Sequence, residues 1–154
     1  MQLECGRIGM TFPISELSVN RGTGADSMPR PILIDTDVMV DFLRGYEKAV
    51  SLIKGCAGGI VLSSIVVAEL YAGVKGDREL AILDGFIAFC HIVPVSGKIA
   101  RLGGLHKRDY AKSHGVGLAD AIIAATAELE ELDLKTLNIR HYPMLKGLIP
   151  PYTK

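Results

Sequence analysis

Four short apolar runs alternate with helical segments, and this alternation limits the fold more than any other feature of the chain. The runs are ILID, IVLS, HIVPVS and LKTLN, which begin at residues 32, 60, 91 and 134. Short continuous apolar runs are typical of parallel strands that are buried on both faces. Because helical segments separate them, the sequence predicts an α/β fold with a central parallel β-sheet flanked by helices.

Helical spacing of apolar residues predicts the segments between these strands. The predicted helices are VMVDFLRG, EKAVSLIK, SIVVAELYAG, RELAILDGFIAF, KIARLGGLHKRDYAKSH and LADAIIAATAELEEL. The last has the strongest helix-forming composition, whereas the pair Gly103–Gly104 weakens the prediction for the one before it. Pro94 predicts that the HIVPVS strand lies at an edge of the sheet or ends early.

The first 30 residues differ from the rest of the chain. They contain SVNRGTGADSMPR, which has the composition of a loop and no strand or helix period. We therefore predict a leader at 1–30 that is disordered or not part of the native domain, and one folded domain at 31–154. Met28 immediately precedes the regular part and is a candidate for the true translation start.

Charge and cysteine content bear on the partners and the compartment. The 17 Lys and Arg residues balance the 17 Asp and Glu residues, so the global charge does not support a nucleic-acid partner. Cys5, Cys56 and Cys90 match no zinc or redox spacing, which indicates reduced thiols in a cytoplasmic protein. We expect no membrane association, since no apolar run is long enough to span a bilayer and the N-terminus does not resemble a secretory signal.

Three acids stand at positions where an α/β protein can bind a ligand. Asp35 ends the run ILID, Glu69 lies among apolar neighbours in SIVVAELYAG, and Asp120 begins the AIIAATA helix. Each has a plainer interpretation: Asp35 and Asp120 could cap helices, and Glu69 could face solvent. Ligands bind at the carboxyl ends of parallel strands, however, and clustered carboxylates are normally held together by a hard cation. Oxygen ligands favour Mg²⁺ or Mn²⁺ over zinc.

Residues near these acids are secondary candidates. Asn138 follows the last strand, where Asn is usually a turn residue, and Thr136 could position the same loop. Asp37 could share the cleft of Asp35. We interpret the histidines at positions 106, 114 and 141 as surface residues.

Four segments in order resemble the successive motifs of PIN domains. They are PILIDTDVMVDFL, SSIVVAELYAG, GLADAIIAATA and LKTLNIRHYPML. Together they cover the predicted domain, and they are most similar to the VapC toxins of type II toxin–antitoxin (VapBC) systems.

The resemblance implies an endoribonuclease that depends on Mg²⁺ or Mn²⁺. It implies catalytic roles for Asp35, Glu69, Asp120 and Asn138, with the first three as metal ligands. The family often has a fourth Asp at position 138, so the neutral Asn puts a second metal ion in doubt. Asp37 stands where the family often has Asn or Ser. The resemblance also implies an RNA substrate, a VapB-like antitoxin and a homodimer.

Local charge is compatible with an RNA substrate. Residues 98–114 contain five Lys or Arg residues and one acid, and Lys135, Arg140, Lys146 and Lys154 follow Asp133 without an acid among them. Such side chains could contact phosphates, or they could simply form solvated surfaces.

Two other functions stay open on the sequence alone. The domain could be a catalytically silent PIN-like module that binds RNA or a partner. Alternatively, IDTDVMV resembles the opening motif of haloacid-dehalogenase-type phosphohydrolases. That class, however, has Thr or Val where this chain has Met39, and it has a late pair of acids that GLADAIIAA lacks.

Overall fold

The central sheet has four parallel strands. A computed structural model describes residues 30–56 and 59–154. Within them the strands are β1 (Ile32–Ile34), β2 (Ile60–Ser63), β3 (His91–Val93) and β4 (Asp133–Lys135), in the order β3-β2-β1-β4. The sheet is therefore the parallel one that the alternating pattern predicts.

Helices connect the strands. They are α1 (Thr36–Leu43), α2 (Glu47–Lys54), α3 (Ser64–Ala72), α4 (Gly76–Ile87), α5 (Gly97–His114) and α6 (Leu118–Leu129), and a 3₁₀ turn covers Ile139–His141. The core forms between the sheet and the apolar faces of these helices. Its fully buried side chains include Leu33, Phe42, Leu62, Leu83 and Ile123.

The strand ends differ from the predicted boundaries. β3 ends at Val93, directly before Pro94, and lies at an edge of the sheet, as predicted. β4 ends at Lys135, so the prediction of a strand through LKTLN was wrong at its C-terminal end. The Asn138 backbone N–H donates to Thr136 Oγ1 at 3.1 Å, and this local turn replaces a strand ladder.

α5 runs without interruption through the glycine pair. A Cβ on Gly103 would lie 2.9 Å from Ile122 Cγ1 and 3.0 Å from Ile122 Cα, whereas a Cβ on Gly104 would meet nothing within 4 Å. The absence of a side chain at Gly103 therefore lets α5 and α6 approach closely. Gly104 faces solvent.

The C-terminal residues fold back on α1. Asp41, which is buried, accepts hydrogen bonds from the Tyr152 hydroxyl (2.8 Å) and from Lys154 Nζ (2.7 Å). Lys48 Nζ also donates to the Thr153 carbonyl at 2.7 Å. The end of the chain is thereby tied to the helix that follows β1.

The predictions for the leader and for Met28 concern residues 1–29, which lie outside the described residues. In the described part of the chain, no helix is both long enough and apolar enough to span a bilayer.

Candidate metal centre

Three chain segments meet where β1 and β4 end. Asp35 follows β1, Asp120 lies in the first turn of α6, and residues 136–142 follow β4. Carboxyl ends of parallel strands lie at one edge of a sheet, which is where α/β proteins bind ligands. The fold therefore brings together polar residues that are about a hundred positions apart in sequence, as Asp35 and Thr136 are.

Asp35 is the most buried acid of this group, with 6% of its surface exposed. It is the N-cap of α1, and its Oδ1 accepts from the Thr36 backbone N–H at 2.7 Å. Its Oδ2 accepts from Thr136 Oγ1 and from the Tyr142 hydroxyl, both at 2.8 Å. The capping role and the place in the cleft thus belong to the same carboxylate.

The Tyr142 hydroxyl, which donates to Asp35, also lies near Asp120. The Tyr142 hydroxyl lies 3.3 Å from Asp120 Oδ1, and His141 Nδ1 lies 3.1 Å from Asp120 Oδ2. Asn138 Nδ2 lies 2.7 Å from the same His141 nitrogen. Asp120 is not a helix cap, because α6 begins at Leu118 with Gly117 as its N-cap.

Glu69 contacts the group from α3. Its Oε2 accepts a hydrogen bond from Thr36 Oγ1, and the rest of the side chain faces solvent. Both interpretations of Glu69, a solvated face and a polar site, therefore describe part of its surroundings.

Asp37 joins Asp35 to the segment after β4. Its Oδ2 accepts from the Leu137 backbone N–H at 3.0 Å and lies 3.4 Å from Thr136 Oγ1. This carboxylate fixes the backbone next to Asn138.

Acidic side chains lie close together in this buried site, and their negatively charged forms are therefore electrostatically unfavourable. Burial raises the pKa of Asp35 to about 6, and the neighbouring Asp37 adds to the increase. The pKa of Asp37 is also raised, chiefly by burial. Burial, followed by the charges of Asp35 and Asp120, raises the pKa of Tyr142 above its ordinary value, so the phenol keeps its proton. A cation would offset this excess of negative charge.

Comparison with known proteins identifies the family. The profile described as "PIN domain" matches residues 32–142, which include all four sequence motifs in large part. The chain belongs to the PIN-domain family.

Curated relatives define the branch of this PIN domain. The chain is 43% identical over 124 residues to "Ribonuclease VapC19" from Mycobacterium tuberculosis. This match covers 78% of this chain and 98% of the relative. It is 36% identical to "Ribonuclease VapC10" from the same organism, over 79% of this chain and 92% of the relative. The protein is therefore a VapC-type PIN domain.

A solved structure has the same fold. The chain resembles a protein described as "Toxin-antitoxin complex from Klebsiella pneumoniae", with a TM-score of 0.69, 26% identity and coverage of 79% of this chain and 98% of that one. A "VapBC2 from Rickettsia felis bound to a DNA fragment from their promoter" is also similar, with a TM-score of 0.62, 26% identity and coverage of 77% and 96%.

The donor set of this PIN domain suits a hard divalent cation. All of the predicted ligands offer carboxylate oxygens, and Asp35 and Asp120 both lie within 3.3 Å of one phenol oxygen. Within residues 30–56 and 59–154, no three Asp, Glu, His or Cys side chains form a closed ligand set. The Tyr142 hydroxyl lies between the two aspartates instead.

Two residues of the site were missed or misread in the sequence. Tyr142 was not singled out, although it is buried and contacts both aspartates. A buried tyrosine needs a partner for its hydroxyl, but the sequence alone does not name that partner. His141 was interpreted as a surface residue, yet its ring contacts Asp120 and is half-buried. Of the other two histidines that we interpreted as surface residues, His114 is exposed. His106 is half-buried, with its Nε2 3.0 Å from Glu128 Oε1.

Basic side chains on the PIN domain divide into engaged and exposed groups. Lys107 Nζ donates to the Val116 carbonyl at 2.9 Å, and Lys154 is bound to Asp41. Other basic residues are exposed, and these include Lys98, Arg101, Lys112, Arg140 and Lys146.

Proposed function

We propose that this VapC-type PIN domain is an endoribonuclease that uses Mg²⁺ or Mn²⁺ to hydrolyse RNA phosphodiester bonds, and that it is the toxin of a toxin–antitoxin pair. PIN-domain ribonucleases generally depend on a divalent metal ion, and two relatives are named ribonucleases. The observation that carries the proposal is the approach of Asp35 and Asp120 to one shared point at the carboxyl edge of the sheet.

Asp35 and Asp120 are the proposed principal ligands, with Glu69 beside them. When bound, a divalent ion supplies Lewis acidity toward the phosphate and activates water near neutral pH. Thr36 donates a hydrogen bond to Glu69, and Thr136 donates one to Asp35. Both hydroxyls belong to residues close to the ends of β-strands, where the sheet holds the backbone in place. Each hydroxyl therefore restricts the movement of the carboxylate to which it donates.

Asn138 is a proposed catalytic residue that brings no charge. It lies beside His141, which contacts Asp120. Its amide can therefore orient the imidazole, or contact the substrate, without adding to the repulsion among the acids. This neutrality supports a single firmly bound ion.

RNA binding is proposed to involve the exposed basic residues. Lys98, Arg101 and Lys112 are exposed on α5, and Arg140 is exposed between Asn138 and His141. Cations at these positions would attract the phosphate backbone to an otherwise acidic cleft.

An antitoxin and a second copy of the chain are the proposed protein partners. The solved relatives include toxin–antitoxin complexes, which supports an antitoxin. α1 leaves only Val40 among its apolar residues half-buried, whereas α3 leaves Ala68 and Ala72 exposed and Ile65 and Val67 half-buried. The outer face of α3 is therefore the better candidate for a homodimer contact.

Two alternatives receive less support. The PIN family match leaves no basis for a haloacid-dehalogenase-type phosphohydrolase. A catalytically silent binding module would not need Asp35 and Asp120 to lie close together. Clustered carboxylates without a cation are unfavourable, so such a module would have no reason to keep them there.

RNA cleavage by the purified protein, freed of any antitoxin, tests the proposal. Total cellular RNA is incubated with wild type, Asp35→Asn and Asp120→Asn in Mg²⁺, Mn²⁺ or EDTA. We expect discrete fragments with either ion, none in EDTA, and at least a hundredfold loss in both variants, roughly the effect of removing one stabilising group from a transition state.

Asp84→Asn is the matched control, because Asp84 is an exposed aspartate on α4 whose side chain bonds only to Tyr71 among the described contacts. It removes one charge outside the proposed site and should keep full activity. Cleavage that survives both site substitutions would contradict the assignment. Metal binding without cleavage of any RNA would favour the silent module.

A further inference from the structure

The Tyr142 hydroxyl lies within hydrogen-bond distance of both proposed principal ligands. Its ring is buried, with 1% of the residue exposed, and its oxygen lies 2.8 Å from Asp35 Oδ2 and 3.3 Å from Asp120 Oδ1. A phenol has one proton, which the shorter distance assigns to Asp35. Asp120 then faces the same oxygen at a longer distance.

The acceptor sites of Asp35 are nearly filled by protein donors. A carboxylate has about four lone-pair sites, and here three are taken by the Thr36 N–H, the Thr136 hydroxyl and the Tyr142 hydroxyl. On Oδ2 both sites are taken. A cation that approaches this oxygen from the side of Asp120 therefore competes with the Tyr142 hydrogen bond.

We propose that Tyr142 is a positioning residue: its hydrogen bond holds Asp35 in the metal-free protein, a divalent ion must displace that bond, and the affinity of the site for the ion is lower as a result. The inference rests on the proposed metal centre. The phenol proton partly offsets the repulsion between the two carboxylates, so the metal-free state is more stable with it than without it. Stabilising the empty state makes binding of the ion weaker, because affinity is the difference between the two states.

Tyr142→Phe removes only the hydroxyl and keeps the buried ring. We expect the variant to melt at a lower temperature than wild type in EDTA, and to bind Mn²⁺ about ten- to a hundredfold more tightly, since a hydrogen bond to a charged group is lost only from the metal-free state. Titration calorimetry measures the affinity. If the variant is unfolded in EDTA, the Mn²⁺ midpoint for refolding exceeds the dissociation constant by the ratio of unfolded to folded apo protein. Urea unfolding measured at several Mn²⁺ concentrations then gives the affinity of the folded variant.

Tyr152→Phe is a closely matched control. It also deletes a phenol hydroxyl that lies 2.8 Å from a buried aspartate, but that aspartate is Asp41, outside the metal centre. It should lower the melting temperature with and without Mn²⁺ and leave the Mn²⁺ affinity at the wild-type value.

The possible results separate the two proposals. Equal or weaker Mn²⁺ binding by Tyr142→Phe, with normal binding by wild type, overturns the role of Tyr142 and leaves the proposed nuclease intact. Failure of wild type to bind Mn²⁺ or Mg²⁺ overturns the metal centre and this inference together. Tighter binding by Tyr142→Phe and not by Tyr152→Phe supports the inference.

Discussion

The glycine pair in α5 offers a sharp test of how α5 and α6 pack. Alanine at either position gains about 1 kcal/mol of helix propensity over glycine. At Gly104 the new methyl group meets nothing within 4 Å, so Gly104→Ala should be more stable than wild type by roughly that amount. At Gly103 the methyl group would lie 2.9 and 3.0 Å from atoms of Ile122, one of them backbone.

The cost at Gly103 comes from this contact alone. The Ile122 Cα belongs to α6 and cannot rotate away, so the helices must separate, and overpacking of this kind costs about 1–3 kcal/mol. Because the propensity gain is the same in both variants, their difference isolates the contact. Gly103→Ala should therefore be less stable than Gly104→Ala by about 1–3 kcal/mol.

Urea unfolding followed by circular dichroism, in EDTA, measures both variants against wild type. A thermal melt should repeat the order, with a separation of about 2–4 °C for each kcal/mol. If Gly103→Ala proved as stable as Gly104→Ala, the close approach of α5 and α6 at this position would be refuted.

Three further predictions concern other parts of the domain. Tyr152→Phe should lower the free energy of unfolding by about 1–3 kcal/mol, because buried Asp41 loses a hydrogen bond; an unchanged urea midpoint would mean that the tail is not held there. Ser96→Ala should cost about 1 kcal/mol through loss of the N-cap of α5, whereas Ser113→Ala, at an exposed position near the end of that helix, should cost less in the same assay. Burial raises the pKa of Cys90 to about 12, so its thiolate fraction at pH 8 is roughly a thousandfold below that of a free thiol. Peptide mapping after iodoacetamide treatment should detect little labelling of Cys90 at pH 8, a tenfold faster rate per pH unit above it, and fast labelling in urea; rapid labelling of the folded protein at pH 8 would contradict the burial.

The order of the elements could be predicted from the sequence because it depends on local patterns. Apolar runs, helical spacing and the position of Pro94 are properties of neighbouring residues, and they predicted a parallel sheet with an early end to β3. The candidate acids at 35, 69 and 120 were found by the same means, since they follow or interrupt apolar segments.

The sequence was less informative wherever a residue's partner is distant in the chain. The end of β4 depends on the turn made by Thr136 and Asn138, and Thr136 also contacts Asp35. The glycine pair weakened the prediction of α5, although Gly103 is required by the backbone of α6.

The chain's own sequence thus determined an α/β domain with acids at the ends of its strands, because these features follow from periods of two to four residues. Only the tertiary structure decided that Tyr142 lies between Asp35 and Asp120, that His141 contacts Asp120, and that the C-terminal residues bind Asp41. These contacts join residues that are 21 to 113 positions apart. No local pattern encodes such a distance, since it is fixed by the packing of the helices on the sheet.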